Sequence, residues 1–115
     1  MVGKSLEAAE ILEDKNINAE VINLRTLRPL DIDTIIESVK KTNRVVTCEE
    51  GFPFSGIGAE ISALITEKAF DWLDAPVVRV TGKDVPMPYA ANLEKLALPQ
   101  VDDIVSASAQ VCYED

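Results

Sequence analysis

Histidine is absent from the 115 residues of this sequence, which removes the commonest general base and the commonest metal ligand. Ser-His and Cys-His nucleophile pairs are excluded with it. The two cysteines, Cys48 and Cys112, have neither the spacing of a zinc ligand set nor that of a redox pair. We expect both to be reduced thiols in a reducing compartment, with Cys48 a small core residue.

Basic residues are also scarce, with 11 Lys and Arg against 20 Asp and Glu and a net charge of -9. A surface of this sign repels phosphate backbones and anionic lipid headgroups. The sequence therefore predicts no nucleic-acid partner and no membrane partner, and it favours a basic protein surface instead.

Long apolar runs are missing too, since none approaches the roughly 18 to 20 residues that span a bilayer. Residues 1–20 form an acidic amphipathic stretch without the basic-then-apolar pattern of a secretory signal, so we expect a soluble protein. The apolar fraction of 47% is enough to fill one core. The composition predicts a single domain over residues 1–115.

Helical and strand patterns alternate along the chain. Val2, Leu6, Ala9 and Leu12 recur at three- and four-residue steps and predict a helix from Val2 to about Lys15. Further helices are predicted after the N-cap residue Asp31, from Ile57, over residues 90–97 and over residues 100–111, and strands over residues 19–24, 44–49 and 77–81.

This alternation predicts an α/β fold with a mostly parallel sheet that is covered by helices on both faces. Three strands are few for such a sheet, because central parallel strands need neighbours on either side. The chain also opens on a helix. We expect a further strand upstream of Met1, and we expect the open sheet edge to cause self-association or marginal stability.

The glycine-containing loop of residues 51–58 lies between a predicted strand and a predicted helix, where a phosphate cradle is often found. A phosphate loop needs Lys and then Ser or Thr after its second glycine, but Ile57 and Gly58 stand there. The dinucleotide pattern fails as well, because Ile61 takes the place of its last glycine. A tight turn between sheet and helix is favoured over a nucleotide site.

Two segments carry residues suited to contact a partner. Trp72 and Asp74 place an aromatic ring beside an acid, which suits either a binding anchor or packing within the domain. The stretch from Asp84 to Tyr89 contains two prolines and is stiff, so it loses little entropy when it docks. We predict partner contacts at these four residues, and no catalytic, cofactor-binding or metal-binding residues.

Seven segments together resemble one family. They are EVINLR (20–25), RPLD (28–31), VKKTNR (39–44), EEGFP (49–53), GAEI (58–61), LDAP (73–76) and DVPMPYA (84–90). In this order and spacing they are similar to the C-terminal domain of the pyruvate dehydrogenase beta subunit, over essentially the whole chain. The fourth and seventh segments favour the pyruvate enzyme, and the related branched-chain 2-oxoacid dehydrogenase remains the alternative, beside a small stand-alone nucleotide-binding protein.

The resemblance implies a transketolase C-terminal fold, which is a three-layer α/β/α sandwich with an additional strand before the first helix. It also implies a complete enzyme that decarboxylates pyruvate oxidatively and transfers acetyl to lipoyl groups. In that family, thiamine diphosphate and its magnesium lie between the alpha subunit and the N-terminal domain of the beta subunit. By resemblance, then, this stretch binds no cofactor and is inactive alone.

What the resemblance assigns to this domain is assembly. It implies packing against the alpha subunit and a second beta subunit in an alpha-2-beta-2 tetramer, and docking of the peripheral subunit-binding domain of dihydrolipoyl acetyltransferase. That docking module is basic, which agrees with the acidic composition. Asp74 matches a family position implicated in docking. The implied location is the mitochondrial matrix, with the bacterial cytoplasm as the alternative.

Overall fold

The computed structural model describes residues 1–86 and 89–113 of the chain. Five α-helices, one 3-10 helix and two strands occur in this part. In chain order they are α1 (Val2–Asp14), α2 (Ile32–Thr42), β1 (Val46–Cys48), α3 (Ile57–Ala69), the 3-10 helix Phe70–Trp72, β2 (Val78–Val80), α4 (Ala91–Ala97) and α5 (Val101–Val111).

The two strands are parallel, with Val46 opposite Val78 and Cys48 opposite Val80. Hydrogen bonds extend the ladder at both ends: the Val78 N–H donates to the Val45 carbonyl over 3.3 Å, and the Glu49 N–H donates to the Val80 carbonyl over 2.9 Å. The chain passes from β1 to β2 through helix α3, since parallel strands need a crossover connection.

Two apolar clusters lie on opposite faces of this sheet. The first joins α1 and α5 to the sheet residues Val46, Cys48, Val78 and Val80, and its buried members are Ala8, Leu12, Val80, Ile104, Val105 and Ala107. The second joins α2 and α3 to Val45 and Val77, and its buried members are Ile35, Val39, Ile61, Ile65 and Ala69. Because side chains alternate across a strand, one short sheet supports both clusters. The predicted α/β fold with helices on both faces is confirmed.

The prediction of a strand over residues 19–24 is wrong for this structure. These residues belong to no helix or strand, and none of their amides donates to another described residue. A strand exists only where a neighbour completes its hydrogen bonds, and neither of the two described strands pairs with this segment. The other two predicted strands are present but shorter than predicted.

Helix α2 begins at the N-cap residue that the sequence predicts. The Asp31 carboxylate accepts hydrogen bonds from the Thr34 amide at 3.2 Å and from the Thr34 hydroxyl at 2.6 Å. The helix ends at Asn43, which adopts the left-handed conformation (φ 64°), and Lys40 and Lys41 stand in its last turn.

The N-cap residue Asp31 makes the folding stability depend on pH in the acidic range. Hydrogen bonds from the Thr34 side chain and backbone lower the pKa of Asp31 below its ordinary value of 3.8. A lowered folded-state pKa contributes stability that is present above the unfolded-state pKa and lost as pH falls through the folded-state pKa. We therefore expect the stability advantage of the wild type over Asp31→Asn, which caps without titrating, to shrink as pH falls below about 3.8. Urea titrations of both proteins between pH 2 and pH 6 measure this, and a difference independent of pH would contradict it.

Both cysteines are free. Cys48 packs against the first cluster, and burial raises the pKa of its thiol, so the thiol stays protonated at neutral pH. Within the described ranges, no helix has the length and apolar character needed to cross a membrane.

Candidate partner-binding surface

Asp74 lies between the 3-10 helix and β2, where three hydrogen bonds fix the backbone. Its N–H donates to the Asn43 carbonyl over 2.8 Å, and the Asn43 side-chain amide donates to the Trp72 carbonyl over 2.7 Å. The Tyr113 hydroxyl donates to the Asp74 carbonyl over 3.2 Å. None of these bonds uses the Asp74 carboxylate. Asn43, the left-handed residue at the end of α2, thus positions the backbone of Trp72 and Asp74, and the Asp74 carboxylate stays free of these bonds.

The Asp74 carboxylate is paired only loosely within the chain. It lies 3.8 Å from the Arg44 guanidinium, and the two side chains are 57% and 36% exposed. Arg44 is also held elsewhere, because its Nε donates to the Val111 carbonyl over 2.9 Å. Exposed pairs of this kind contribute at most about 1 kcal/mol. Asp74 can therefore exchange Arg44 for a cation of a partner at little cost.

Trp72 stands beside Asp74 and remains partly open to solvent. Trp72 is 46% exposed, and the neighbouring Phe70 is 66% exposed. The Lys40 ammonium lies 5.5 Å from the centre of the indole ring, within the range of a cation–π contact. The ring therefore packs partly on α2 and leaves part of its surface open to solvent, and its contact with a partner stays a prediction.

Asp84 and Tyr89 lie away from this pair. Asp74 precedes β2 and Asp84 follows it, so the two acids stand at opposite ends of the strand. Asp84 is exposed, and Tyr89 is fully so. Met87 and Pro88, between them, lie outside the described residues. Trp72 and Asp74 thus stand together before β2, whereas Asp84 and Tyr89 both follow β2 in the chain.

The glycine-containing loop is closed by Glu49, a role that the sequence did not reveal. The Glu49 carboxylate accepts a hydrogen bond from the Gly58 amide over 3.2 Å, at the start of α3. A Cβ atom on Gly56 would lie 2.6 Å from both the Glu49 carboxylate and the Phe52 carbonyl. The position that an anionic ligand would take at this helix N-terminus is filled by the protein's own acid. The geometry matches a tight turn rather than a nucleotide cradle.

A diphosphate or its magnesium would need a donor set that these residues do not supply. Across residues 1–86 and 89–113, no three His, Cys, Asp or Glu side chains are placed to hold a metal ion.

A short parallel sheet lies between two helical layers, so the fold belongs to the class of three-layer α/β/α domains. The chain belongs to the family described as transketolase, C-terminal domain, which matches residues 1–104. The fold implied by the resemblance is thereby confirmed.

Curated relatives add a more specific likeness. The chain is 63% identical over 113 residues to pyruvate dehydrogenase E1 component subunit beta-1, mitochondrial, of Oryza sativa subsp. japonica, covering 98% of this chain and 30% of that protein. It is 64% identical over 109 residues to pyruvate dehydrogenase E1 component subunit beta of Rickettsia bellii, covering 95% and 34%. A mitochondrial beta-1 subunit of Arabidopsis thaliana is 63% identical over 113 residues, covering 98% and 31%. The resemblance to pyruvate dehydrogenase beta subunits is confirmed, and the chain spans about a third of their length.

Proposed function

We propose that residues 1–115 form the assembly and docking domain of the beta subunit of a thiamine diphosphate-dependent pyruvate dehydrogenase. The complete enzyme decarboxylates pyruvate oxidatively and transfers acetyl to lipoyl groups. The observation that carries the proposal is the 63% identity to the rice subunit across 98% of this chain. The domain itself contributes surfaces, while thiamine diphosphate and magnesium are held by other parts of the enzyme.

Three partners follow from this proposal. The alpha subunit and a second beta subunit complete an alpha-2-beta-2 tetramer, and the peripheral subunit-binding domain of dihydrolipoyl acetyltransferase docks on the assembled enzyme. Support comes from aromatic side chains left open to solvent, such as Phe54 at 83% and Phe70 at 66% exposure, because buried interfaces are rich in aromatic residues. The net charge of -9 supports a basic docking partner.

Within this assembly, Trp72 and Asp74 form the docking anchor, and Asp84 and Tyr89 serve a separate contact. Asp74 precedes β2 and Asp84 follows it, so one small module need not reach both acids. Asp74 supplies the charged contact, because its carboxylate is exposed and pairs, among the residues that the structure describes, with Arg44 alone. Trp72 supplies the apolar contact beside it.

The location follows the relatives. The rice and Arabidopsis subunits are named as mitochondrial, and the Rickettsia subunit comes from a bacterium. We place the protein in the mitochondrial matrix, with the bacterial cytoplasm as the alternative. Two free cysteines suit either reducing compartment.

A calorimetric titration tests the docking role. The beta subunit that carries this sequence, assembled with its alpha subunit, is titrated with the purified basic subunit-binding domain. We expect binding that weakens as salt is raised, because the attraction between the acidic surface and the basic module is screened. Absence of binding at low salt would refute the docking role.

A thermal-shift screen of the 115-residue chain with nucleotides and thiamine diphosphate separates the assembly role from a stand-alone ligand-binding role. We expect no shift with either ligand, because Glu49 fills the helix N-terminus at the glycine-containing loop. A clear shift with any of them would count against an assembly domain.

A further inference from the structure

The last turn of α2 places a cation on the docking surface of Trp72 and Asp74. The Lys40 ammonium lies 5.5 Å from the centre of the Trp72 indole ring. Lys40 is exposed, and it forms no ion pair with any acid among the residues that the structure describes. The partner of this charge is thus an aromatic ring rather than a carboxylate.

Lys41 follows in the same turn but is used differently. Its ammonium lies 3.0 Å from one oxygen of the Glu20 carboxylate and donates a hydrogen bond to the other over 3.1 Å. Successive side chains leave an α-helix roughly 100° apart, so the two ammonium groups reach different neighbours. The turn therefore holds one cation that is neutralised by an acid and one that is not.

The end of α2 fixes where Lys40 stands relative to Trp72. The Asn43 side-chain amide donates to the Trp72 carbonyl over 2.7 Å, and the Asn43 carbonyl accepts from the Asp74 N–H over 2.8 Å. These bonds tie the 3-10 helix and the residue after Leu73 to the helix that carries Lys40. The backbone is thus held, while the four-carbon stem of the lysine can swing the ammonium off the ring.

We infer that Lys40 is a specificity-determining residue of this surface, whose charge opposes the basic docking partner and limits its affinity. The inference rests on the proposed docking role. A basic partner that approaches Asp74 and Trp72 brings its cations toward Lys40, and like charges across an interface repel. To bury the indole ring, the partner must also displace the ammonium or bury it without an acid. Both alternatives cost free energy.

Titration calorimetry on the assembled enzyme, with the purified basic subunit-binding domain, tests this role. Lys40→Gln removes the charge and keeps a polar side chain. We expect Kd to fall roughly two- to fivefold, since an exposed cation–π contact and the repulsion are removed together. Lys40→Arg keeps a cation that also stacks on indole, so it should bind like the wild type. A Lys40→Gln enzyme that binds no more tightly than the wild type would overturn the inference.

Lys41→Gln is the matched control. It removes the same charge from the same turn, so its effects on net charge and on the helix terminus equal those of Lys40→Gln. The cation that it removes is paired with Glu20 instead of lying on the ring. We expect a much smaller change in Kd. Equal gains in both variants would assign the effect to net charge and overturn the inference.

The fluorescence of Trp72 reports the contact without the partner. Trp72 is the single tryptophan of the chain, so selectively excited emission from the 115-residue protein comes from one ring. We expect Lys40→Gln to shift this emission and Lys41→Gln to leave it unchanged. Unchanged emission in Lys40→Gln would show that no cation lies on the ring in solution, which also overturns the inference.

The two measurements separate the role of Lys40 from the docking role on which it depends. No binding by the wild-type enzyme, with the emission shift present, would refute the docking role itself. Binding by the wild type without a gain in Lys40→Gln would refute the role of Lys40 alone.

Discussion

Gly82→Ala is expected to lower the melting temperature by roughly 4 to 12 °C. Gly82 is buried, and its N–H donates to the Gly51 carbonyl over 2.9 Å. A Cβ atom there would collide with the Glu50 backbone carbonyl, which no side-chain rotation can relieve. Moving the backbone apart to make room for an extra carbon atom typically lowers the free energy of unfolding by about 1–3 kcal/mol. At 115 residues, the unfolding entropy makes each kcal/mol worth about 4 °C.

Gly3→Ala is the matched control. Gly3 stands in α1, and a Cβ atom there would meet nothing within 4 Å. Alanine favours a helix over glycine by about 0.5–1 kcal/mol, so this variant gains stability. Calorimetric melting of both variants should show shifts of opposite sign. A Gly82→Ala protein as stable as the wild type would contradict this prediction, because it would show that the backbone at Glu50 and Gly51 can move away from residue 82 at no cost.

The helices were predictable because their signals are local. In α2, Ile32, Ile35, Ile36 and Val39 recur at helical spacing, and Asp31 stands where its carboxylate reaches the Thr34 amide. Such signals depend on residues three or four positions apart. The alternation of helices and strands then predicted a sheet between two layers, and the two clusters confirm that arrangement.

The features that the sequence did not reveal all depend on distant residues. Residues 19–24 have the composition of a strand, but strand formation needs a hydrogen-bonding neighbour that composition does not report. The candidate site has the same limitation. Arg44 approaches Asp74 across 30 positions, and Asn43 supports Trp72 across 29. The hydrogen bond between the Gly58 amide and the Glu49 carboxylate had one signal in the sequence, which is an acidic residue followed by a glycine-containing loop that leads into a helix.

Asp74→Ala is expected to weaken docking of the basic subunit-binding domain by about 1–3 kcal/mol, or roughly 5- to 150-fold in Kd. The loss is that of a charged hydrogen bond removed from water at the interface. The fold should survive, because Asp74 donates to Asn43 with its backbone N–H and accepts from Tyr113 with its backbone carbonyl. Loss of the pair with Arg44 costs little, since both side chains are partly exposed.

Titration calorimetry on the assembled enzyme measures the effect, with Glu13→Ala as the control for net charge. Glu13 is exposed on α1 and makes no described ion pair, so its removal changes the overall charge equally without touching Trp72 or Asp74. A direct contact predicts a loss at Asp74 alone, whereas long-range steering predicts equal, small losses at both. Asp74→Asn should retain the shape of the side chain and reduce the salt dependence of binding, while the other acidic residues maintain the rest of it. Unchanged affinity in both Asp74 variants would remove this acid from the docking surface, because an exposed carboxylate at a charged interface cannot be lost without weakening the attraction.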